Sequence, residues 1–274
     1  MSGFDIVVHV RDTGGESLAA RAACLLARRV QAYLYGLYVA PLGAVAFSTP
    51  ETVVFQVNEA DRLYDEARAK RGWWQALLQE NSCNGEWLVA QGEAVEALCH
   101  CARWCDVIVA ERPTLNPDAP TGWGTVSRTA FGAGAPVIVV PEGARLATLG
   151  ERVLVAWNHS RESMRAIHGA LPLLACAGHV LVLEGSAPQD RLDARHLPQL
   201  DLRAWLKRHG IDAEFRSFTP KNDFGAGILA AARDAQADLI VMGAWGHSRI
   251  AELVLGGATR HLLQHSDVPL FVAH

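Results

Sequence analysis

The stretch Asp238-Leu239-Ile240-Val241-Met242-Gly243-Ala244-Trp245-Gly246 decides how the rest of the chain is interpreted. It begins as a short apolar run, which favours a buried strand, and continues into a loop with two glycines three positions apart. After nine further residues comes Gly256-Gly257-Ala258-Thr259, where a helix is predicted to begin. Glycine lets a backbone approach a ligand closely, and the free N–H groups of a helix N-terminus favour phosphate. The stretch therefore predicts an anion site.

A simpler interpretation of the same glycines stays open. Gly243 can end a strand and Gly256-Gly257 can form a turn without any ligand, because glycine-rich turns between strands and helices are common in α/β folds. The spacing of the glycines does not by itself separate the two interpretations.

The composition excludes several classes of protein. The 274 residues, half of them hydrophobic, are enough for one large or two ordinary domains. A net charge of −4 without a lysine and arginine cluster argues against nucleic acid and membrane surfaces as partners. The N-terminus lacks the pattern of a secretory signal, and no apolar run reaches the roughly 18 residues that span a bilayer. We expect a soluble, cytoplasmic protein.

The six cysteines are not spaced like a secreted disulfide framework. Cys101 and Cys105 lie one helical turn apart, which is compatible with a shared metal ion. The favoured alternative is an apolar helix face, since thiols are among the most buried groups. We therefore predict no metal site.

A doubly wound α/β domain is predicted over residues 1–143. Its strands are expected at residues 6–10, 32–39, 86–89, 106–110 and 136–140, and its helices at 17–29, 58–81 and 93–104. Residues 41–57 are interpreted as a loop, with local strand pairing possible at 52–55.

The same pattern recurs over residues 150–274, so the chain is interpreted as a tandem duplication joined by a linker at 143–148. The run Val153-Leu154-Val155-Ala156-Trp157-Asn158 corresponds to the first strand at an offset of 146, which sets Asn158 opposite Asp12. Leu239-Ile240-Val241-Met242 corresponds to Val107-Ile108-Val109-Ala110. Further helices are expected at 162–175, 198–209 and 227–236, and strands at 179–183, 213–216 and 268–272.

The two halves differ in the loop after the fourth strand. The first half carries Pro113, Pro117 and Pro120 where the second half carries its glycines. Proline has no N–H to donate to an anion. A single nucleotide site per chain would therefore lie in the second half.

On these residues the chain resembles a tandem universal stress protein. Gly243-x-x-Gly246-x9-Gly256 has the spacing of that family's nucleotide-binding signature, and Val155-Ala156-Trp157-Asn158-His159-Ser160, Gly246-His247-Ser248-Arg249 and Val268-Pro269-Leu270-Phe271-Val272 support the match. The resemblance implies a five-stranded parallel sheet in each repeat, adenine-nucleotide binding by members that keep the signature, and dimerisation through the last strand.

Two residues depart from the family's pattern. Gly257 stands where a serine or threonine usually follows the third glycine, so a backbone amide replaces a hydroxyl contact, and Thr259 is a candidate to compensate. Asn158 stands where the family typically has an acidic residue, and it offers Mg²⁺ only a neutral ligand.

In a sheet of strand order 3-2-1-4-5, ligands bind where the order reverses, between the first and fourth strands. The base is predicted against Ala156, Asn158 and Met242, and the phosphates on backbone amides of the glycine loop and the helix start. Trp245 either covers the ribose or braces the loop. The complete predicted set is Ala156, Trp157, Asn158, Met242, Gly243, Trp245, Gly246, Gly256, Gly257, Ala258 and Thr259.

The predicted ligand is ATP, with or without Mg²⁺, and the alternatives are AMP, ADP or no ligand. The loop has no Gly-Lys-Ser/Thr sequence, and His247-Ser248 lacks a third residue to orient the imidazole, so no catalytic residue is predicted. We expect a nucleotide-binding stress-response regulator. A slow ATP hydrolase and a structural partner protein with a vestigial site remain the alternatives.

The last strand of each repeat would leave an apolar sheet edge exposed, which invites association. We expect the fifth strands of the two repeats to pair antiparallel, so that one chain forms a pseudo-dimer. A homodimer through other surfaces is expected only from the resemblance.

Overall fold

The computed structural model describes residues 3–12, 17–41, 50–113, 124–185, 198, 200–220, 223–244 and 257–274. The chain divides into two compact units, and Glu142 and Gly143 lie on opposite sides of that division. Each unit has strands that alternate with helices along the chain.

The first unit is a parallel sheet flanked by helices. Its strands are β1 (Asp5–His9), β2 (Tyr33–Pro41), β3 (Asn84–Gly92), β4 (Val107–Arg112) and β5 (Val137–Pro141), in the spatial order β3-β2-β1-β4-β5. Its helices are α1 (Leu18–Val30), α2 (Pro50–Ala69), α3 (Arg71–Glu80), α4 (Ala94–Cys101) and α5 (Thr125–Gly132), and a 3-10 turn spans Ala102–Trp104.

The second unit repeats this plan. Its strands are β6 (Arg152–Trp157), β7 (His179–Glu184), β8 (Ala213–Ser217), β9 (Leu239–Gly243) and β10 (Leu270–Ala273), in the order β8-β7-β6-β9-β10 with parallel pairing. Its helices are α6 (Arg161–Ala175), α7 (Leu202–Arg208), α8 (Phe224–Asp234) and α9 (Gly257–His265). The predicted α/β fold, with order 3-2-1-4-5 in each repeat, is confirmed.

The central strands owe their position to continuous apolar sequence. The first four residues of β4 and of β9 are buried, as parallel strands covered on both faces must be. Polar residues start several helices: Ser17 caps α1, Ser160 caps α6 and Asp201 caps α7, each accepting a hydrogen bond from a first-turn N–H.

Three predicted elements differ in the structure. Residues 52–55 are helical rather than extended, because Pro50 begins α2, and proline has the backbone angle of a first helical residue. The single helix predicted over 58–81 is interrupted at Lys70, where the Lys70 N–H bonds to Ala67 and Gly72 lowers helix propensity. The predicted helix over 198–209 begins only at Leu202, and α5 was not predicted.

The structure also shifts the predicted match between β1 and β6, the first strands of the two units, by one residue. Val8 pairs with Val109 in the first unit, and Val155 pairs with Val241 in the second. Because Val109 corresponds to Val241, the offset between β1 and β6 is 147 rather than 146, which is 155 minus 8. The residue opposite Asn158 is consequently Arg11 and not Asp12.

The end of β1 carries a buried histidine, His9, only 7% exposed. Burial, with a smaller effect of the Arg11 charge, lowers the pKa of His9 to about 4. Between this value and the ordinary pKa near 6.5 the unfolded chain binds a proton that the folded chain does not, so acid favours unfolding. His9 should therefore stay neutral in the folded protein until the pH falls to about 4.

We expect the free energy of unfolding to fall by roughly 3 kcal/mol when the pH is lowered from about 7 to about 4, because of His9. Each unit of difference between its folded and unfolded pKa contributes about 1.36 kcal/mol. His9→Leu should lack this part of the pH dependence. Urea denaturation of both proteins across this pH range measures it. Parallel pH profiles for the two proteins would contradict the prediction.

Within the described residues, no helix is both long and apolar enough to cross a membrane.

Candidate functional site

The predicted site lies at the edge of the second sheet where the strand order reverses. β6 and β9 are direct neighbours there, with Ala156 paired to Met242. Strands in a parallel sheet all end at one edge, and the helices that follow them begin at that edge. The end of β6, the end of β9 and the start of α9 therefore belong to one region.

The ends of β6 and β9 differ in how far their residues are exposed to solvent. Met242 is 4% exposed, so it can contribute only a small contact surface. Ala156 and Trp157 are half-buried, and the Trp157 ring packs at 5.0 Å from the His159 ring. The accessible part of this edge is thus formed by the end of β6 more than by the end of β9.

Asn158 helps to start α6. Its Oδ1 accepts hydrogen bonds from the Ser160 N–H at 3.2 Å and the Ser160 hydroxyl at 2.7 Å. Ser160 Oγ in turn accepts a hydrogen bond from the Ser163 N–H at 3.1 Å. The carboxamide oxygen is therefore engaged within the chain, and the exposed amide NH₂ group is the part of Asn158 that can serve a ligand.

Gly243 is required by helix packing. A Cβ at this position would lie 2.3 Å from Ser163 N and 2.4 Å from the carbonyl carbon of Glu162, both backbone atoms at the start of α6. The sequence left two roles open for this glycine, close approach to a phosphate and the end of a strand. The structure adds a further reason, because any side chain here would displace the N-terminus of α6.

The start of the glycine loop is anchored to the C-terminal residues. The Ala244 N–H donates to Ala273 O at 2.8 Å, and His274 Nδ1 lies 3.2 Å from Ala244 O. Arg165 in α6 donates to His274 O at 2.9 Å. The predicted residues that follow, Trp245, Gly246 and Gly256, lie outside the described residues.

Among the described residues, nothing covers the first residue of α9. Gly257 is exposed, and a Cβ added there would meet nothing within 4 Å. Ala258 is half-buried, whereas Thr259 is only 6% exposed. The burial of Thr259 disfavours the prediction that its hydroxyl replaces the serine or threonine that this chain lacks.

The sequence analysis did not predict the contact between Asp223 and His261, which links α8 to α9. Asp223 caps α8 by accepting hydrogen bonds from the Gly225 and Ala226 N–H groups, and its Oδ2 lies 2.8 Å from His261 Nδ1. Gly225 lets the helices touch, since a Cβ there would lie 2.5 Å from the Cβ of His261. The hydrogen bond from Ala226, followed by those from Gly225 and His261, lowers the pKa of Asp223. Asp223 before Phe224-Gly225 was a recognisable cap signal.

In the first unit a carboxylate occupies the equivalent region. Glu111, in β4, corresponds to Gly243 in β9 because Val109 corresponds to Val241. Glu111 Oε1 accepts hydrogen bonds from the Ala19 N–H at 2.7 Å and from the Ser17 hydroxyl at 3.2 Å. The N-terminus of α1 therefore already holds a negative group from its own chain.

Two clefts in the first unit lie away from the predicted site. The larger, about 510 Å³, lies beside β3 and is lined by residues that include Tyr64, Arg68, Arg71 and Trp87. The smaller, about 350 Å³, lies between α4 and α5.

The cysteines near the end of α4 are half-buried. Burial raises the pKa of Cys101, and it raises the pKa of Cys105 to about 12. In the described part of the chain, no three or more His, Cys, Asp or Glu residues form a group that holds a metal ion.

Comparisons with known proteins agree with the fold of the two units. Residues 150–274 match the model of the universal stress protein family. A universal stress protein from Archaeoglobus fulgidus DSM 4304 aligns with 100% of this chain and 99% of its own, with 18% identity and a TM-score of 0.72. A universal stress protein from Pseudomonas aeruginosa UCBPP-PA14 aligns with 99% of this chain and 93% of its own, with 17% identity and a TM-score of 0.59.

A shorter universal stress protein from Archaeoglobus fulgidus, solved in complex with dAMP, aligns with 51% of this chain and 98% of its own, with 18% identity and a TM-score of 0.31. No curated protein matches the sequence. At these identities the two full-length matches establish the fold of both units and carry no ligand over to this chain.

Proposed function

We propose that this chain is a universal stress protein, since residues 150–274 match that family's model, and that its second unit binds ATP or a related adenine nucleotide. The proposed site lies where β6 and β9 end and α9 begins. Bound nucleotide would make the protein a regulator in a stress response rather than an efficient catalyst.

The observation that carries the proposal is the exposed first residue of α9, which no described residue covers. The first N–H groups of a helix have no partner within it, and the helix dipole favours negative charge there. Gly257 is exposed and leaves the space around it empty. This helix start follows Gly243-x-x-Gly246-x9-Gly256, the spacing of the family's signature, in a strand-to-helix context.

The remaining predicted residues have separate roles in this proposal. Ala156 and Trp157 offer the partly exposed apolar surface for the base, and the Asn158 NH₂ group offers a donor. Phosphates lie on the amides of Gly243, Gly246, Gly256, Gly257 and Ala258 in this arrangement. A Mg²⁺ ion, where present, would find in Asn158 only a neutral ligand, whose oxygen already accepts hydrogen bonds from Ser160.

Glu111 supports a single site per chain. Its carboxylate already accepts a hydrogen bond from the N–H of Ala19, at the start of α1. A phosphate brought to the position of Glu111, which corresponds to that of Gly243, would meet a like charge. We infer that the first unit does not bind nucleotide in the same way.

The test is isothermal titration calorimetry with ATP, ADP and AMP on the wild type, Gly257→Asp and Gly257→Ala. An aspartate at the first position of α9 favours the helix but repels phosphate, so we expect affinity to fall at least about tenfold, or 1.4 kcal/mol. Gly257→Ala is the matched control, because its Cβ enters open space and alanine favours a helix. It should bind within about threefold of the wild type.

Equal affinity in all three proteins would overturn the placement of the phosphates on α9. Absence of heat with every nucleotide in the wild type would favour the structural partner with a vestigial site. We expect negligible ATP turnover, and a steady ATPase rate that Gly257→Asp abolishes would instead favour the slow hydrolase.

Assembly and location stay predictions. Antiparallel pairing of the fifth strands within one chain follows from the apolar edges, and homodimerisation and a cytoplasmic location follow from the resemblance and the composition. Adenine nucleotide is the proposed partner, and the charge balance favours neither nucleic acid nor a membrane surface.

A further inference from the structure

Two cysteines of the first unit, distant in sequence, meet in space. Cys24 lies in the middle of α1 and is 1% exposed, whereas Cys83 directly precedes β3 and is half-buried. The Cys83 thiol donates to Cys24 O at 3.7 Å and to Asn81 O at 3.4 Å, and the Cys24 and Cys83 side chains lie close enough for each to shift the pKa of the other. We propose that Cys24 and Cys83 are a redox modification site, a dithiol that hydrogen peroxide oxidises to a disulfide between α1 and the start of β3.

The two thiols have unequal roles. Cys83 is the more accessible, and although burial raises its pKa, the hydrogen bond with Cys24 and the Arg28 charge oppose that rise. Burial raises the pKa of Cys24 to about 12. The thiolate is the nucleophile, so Cys83 reacts with the oxidant and Cys24 resolves the product.

The reaction balances with one peroxide. The Cys83 thiolate attacks a peroxide oxygen, the O–O bond breaks, and the leaving hydroxide takes a proton to give water and a sulfenic acid on Cys83. The Cys24 sulfur then gives up its proton and attacks Cys83 Sγ, the S–O bond breaks, and a second water leaves. Two thiols lose two electrons in total, and hydrogen peroxide is reduced to two waters.

Proximity, not nucleophilicity, makes this pair specific. Both thiols are mainly protonated at neutral pH because burial raises their pKa values, so the first step is slower than at an ordinary exposed thiol. Once Cys83 is a sulfenic acid, Cys24 is the thiol in contact with it. The disulfide would link positions 59 residues apart and so restrict the unfolded chain strongly.

The experiment is peptide mapping of the reduced full-length protein after treatment with hydrogen peroxide, followed by denaturation and alkylation of the remaining thiols. We expect a cross-linked pair of peptides containing Cys24 and Cys83, with a mass about 2 Da below their sum for the two lost hydrogens. Cys176→Ser, which removes an exposed cysteine, should form the same cross-link to the same extent.

Two variants separate the roles. Cys83→Ser should leave Cys24 alkylatable, and Cys24→Ser should leave a sulfenic acid on Cys83 that dimedone labels. Wild type should need more urea to unfold after oxidation, and Cys83→Ser should not. Since the mapping uses the wild type, it stands even where a variant folds poorly. Cys24 and Cys83 that both remain alkylatable, or that link mainly to other cysteines, would overturn the proposal.

Discussion

Gly243→Val is expected to destabilise the second unit by about 3 kcal/mol, at the upper end of the usual cost of overpacking. The Cβ alone would lie 2.3 Å from Ser163 N and 2.4 Å from the Glu162 carbonyl carbon. Both are backbone atoms, so no side-chain rotation relieves the overlap and α6 must move. Urea denaturation followed by circular dichroism measures the loss.

Gly257→Val is the matched control for this variant. It adds the same side chain at the other end of the proposed site, where a Cβ meets nothing within 4 Å, and should change stability by no more than about 0.5 kcal/mol. A Gly243→Val protein that unfolds at the wild-type urea concentration would show that α6 does not pack there as described.

This expectation changes how a binding experiment must be designed. Loss of nucleotide binding in Gly243→Val would follow from a displaced α6 as readily as from a blocked phosphate position. Gly257→Asp does not carry this ambiguity, because its side chain enters open space and its charge suits a helix N-terminus. It is therefore the more informative variant for the proposed site.

Asp238→Ala is expected to cost about 3 kcal/mol of unfolding free energy in the second unit, since a charged acceptor contributes roughly 1.5–3 kcal/mol per hydrogen bond and such terms are not additive. The Asp238 carboxylate accepts from the backbone N–H groups of Gly150, Glu151 and Arg152 and from the Thr148 hydroxyl at 2.6 Å. It thereby joins the segment that enters β6 to the start of β9.

Asp106→Ala in the first unit is the control. Asp106 occupies the equivalent position before β4, but among the described residues its carboxylate accepts one hydrogen bond, from the Asp5 N–H at 2.8 Å. Burial, and then the nearby Asp106 charge, raises the pKa of Asp5, so removing Asp106 also removes a repulsion. We expect a loss below about 1 kcal/mol, and equal losses in the two variants would refute the special role of Asp238.

The sequence alone determined the repeated α/β architecture with parallel strands, and the strand order was expected together with the family resemblance. Runs such as Val107-Ile108-Val109-Ala110 contain only apolar residues, whereas a half-exposed strand alternates apolar and polar residues. These runs alternate along the chain with segments of helical periodicity, so the pattern predicts buried parallel strands. The duplication was visible because equivalent runs recur at nearly constant spacing. Residues 150–274 were recognisable as a universal stress protein domain from the glycine spacing.

Local patterns were less decisive where two structures compete for the same residues. Thr52-Val53-Val54-Phe55 has high strand propensity, yet it continues the helix that Pro50 begins. The one-residue error in matching β1 to β6 has a similar origin. Apolar runs without a polar residue between them look alike in either register, and only pairing with β4 and β9 separates the alternatives.

Only the tertiary structure decided what the site residues contact. Gly243 packs against the N-terminus of α6, and Asn158 accepts a hydrogen bond from the Ser160 hydroxyl. Asp223, which caps α8, contacts His261 in α9. Glu111 reaches back to α1 over 92 positions of sequence. Spacing along a chain indicates which residues share a strand or a helix. Contacts between elements depend on how those elements pack, and no local sequence pattern encodes the distance between residues of different elements.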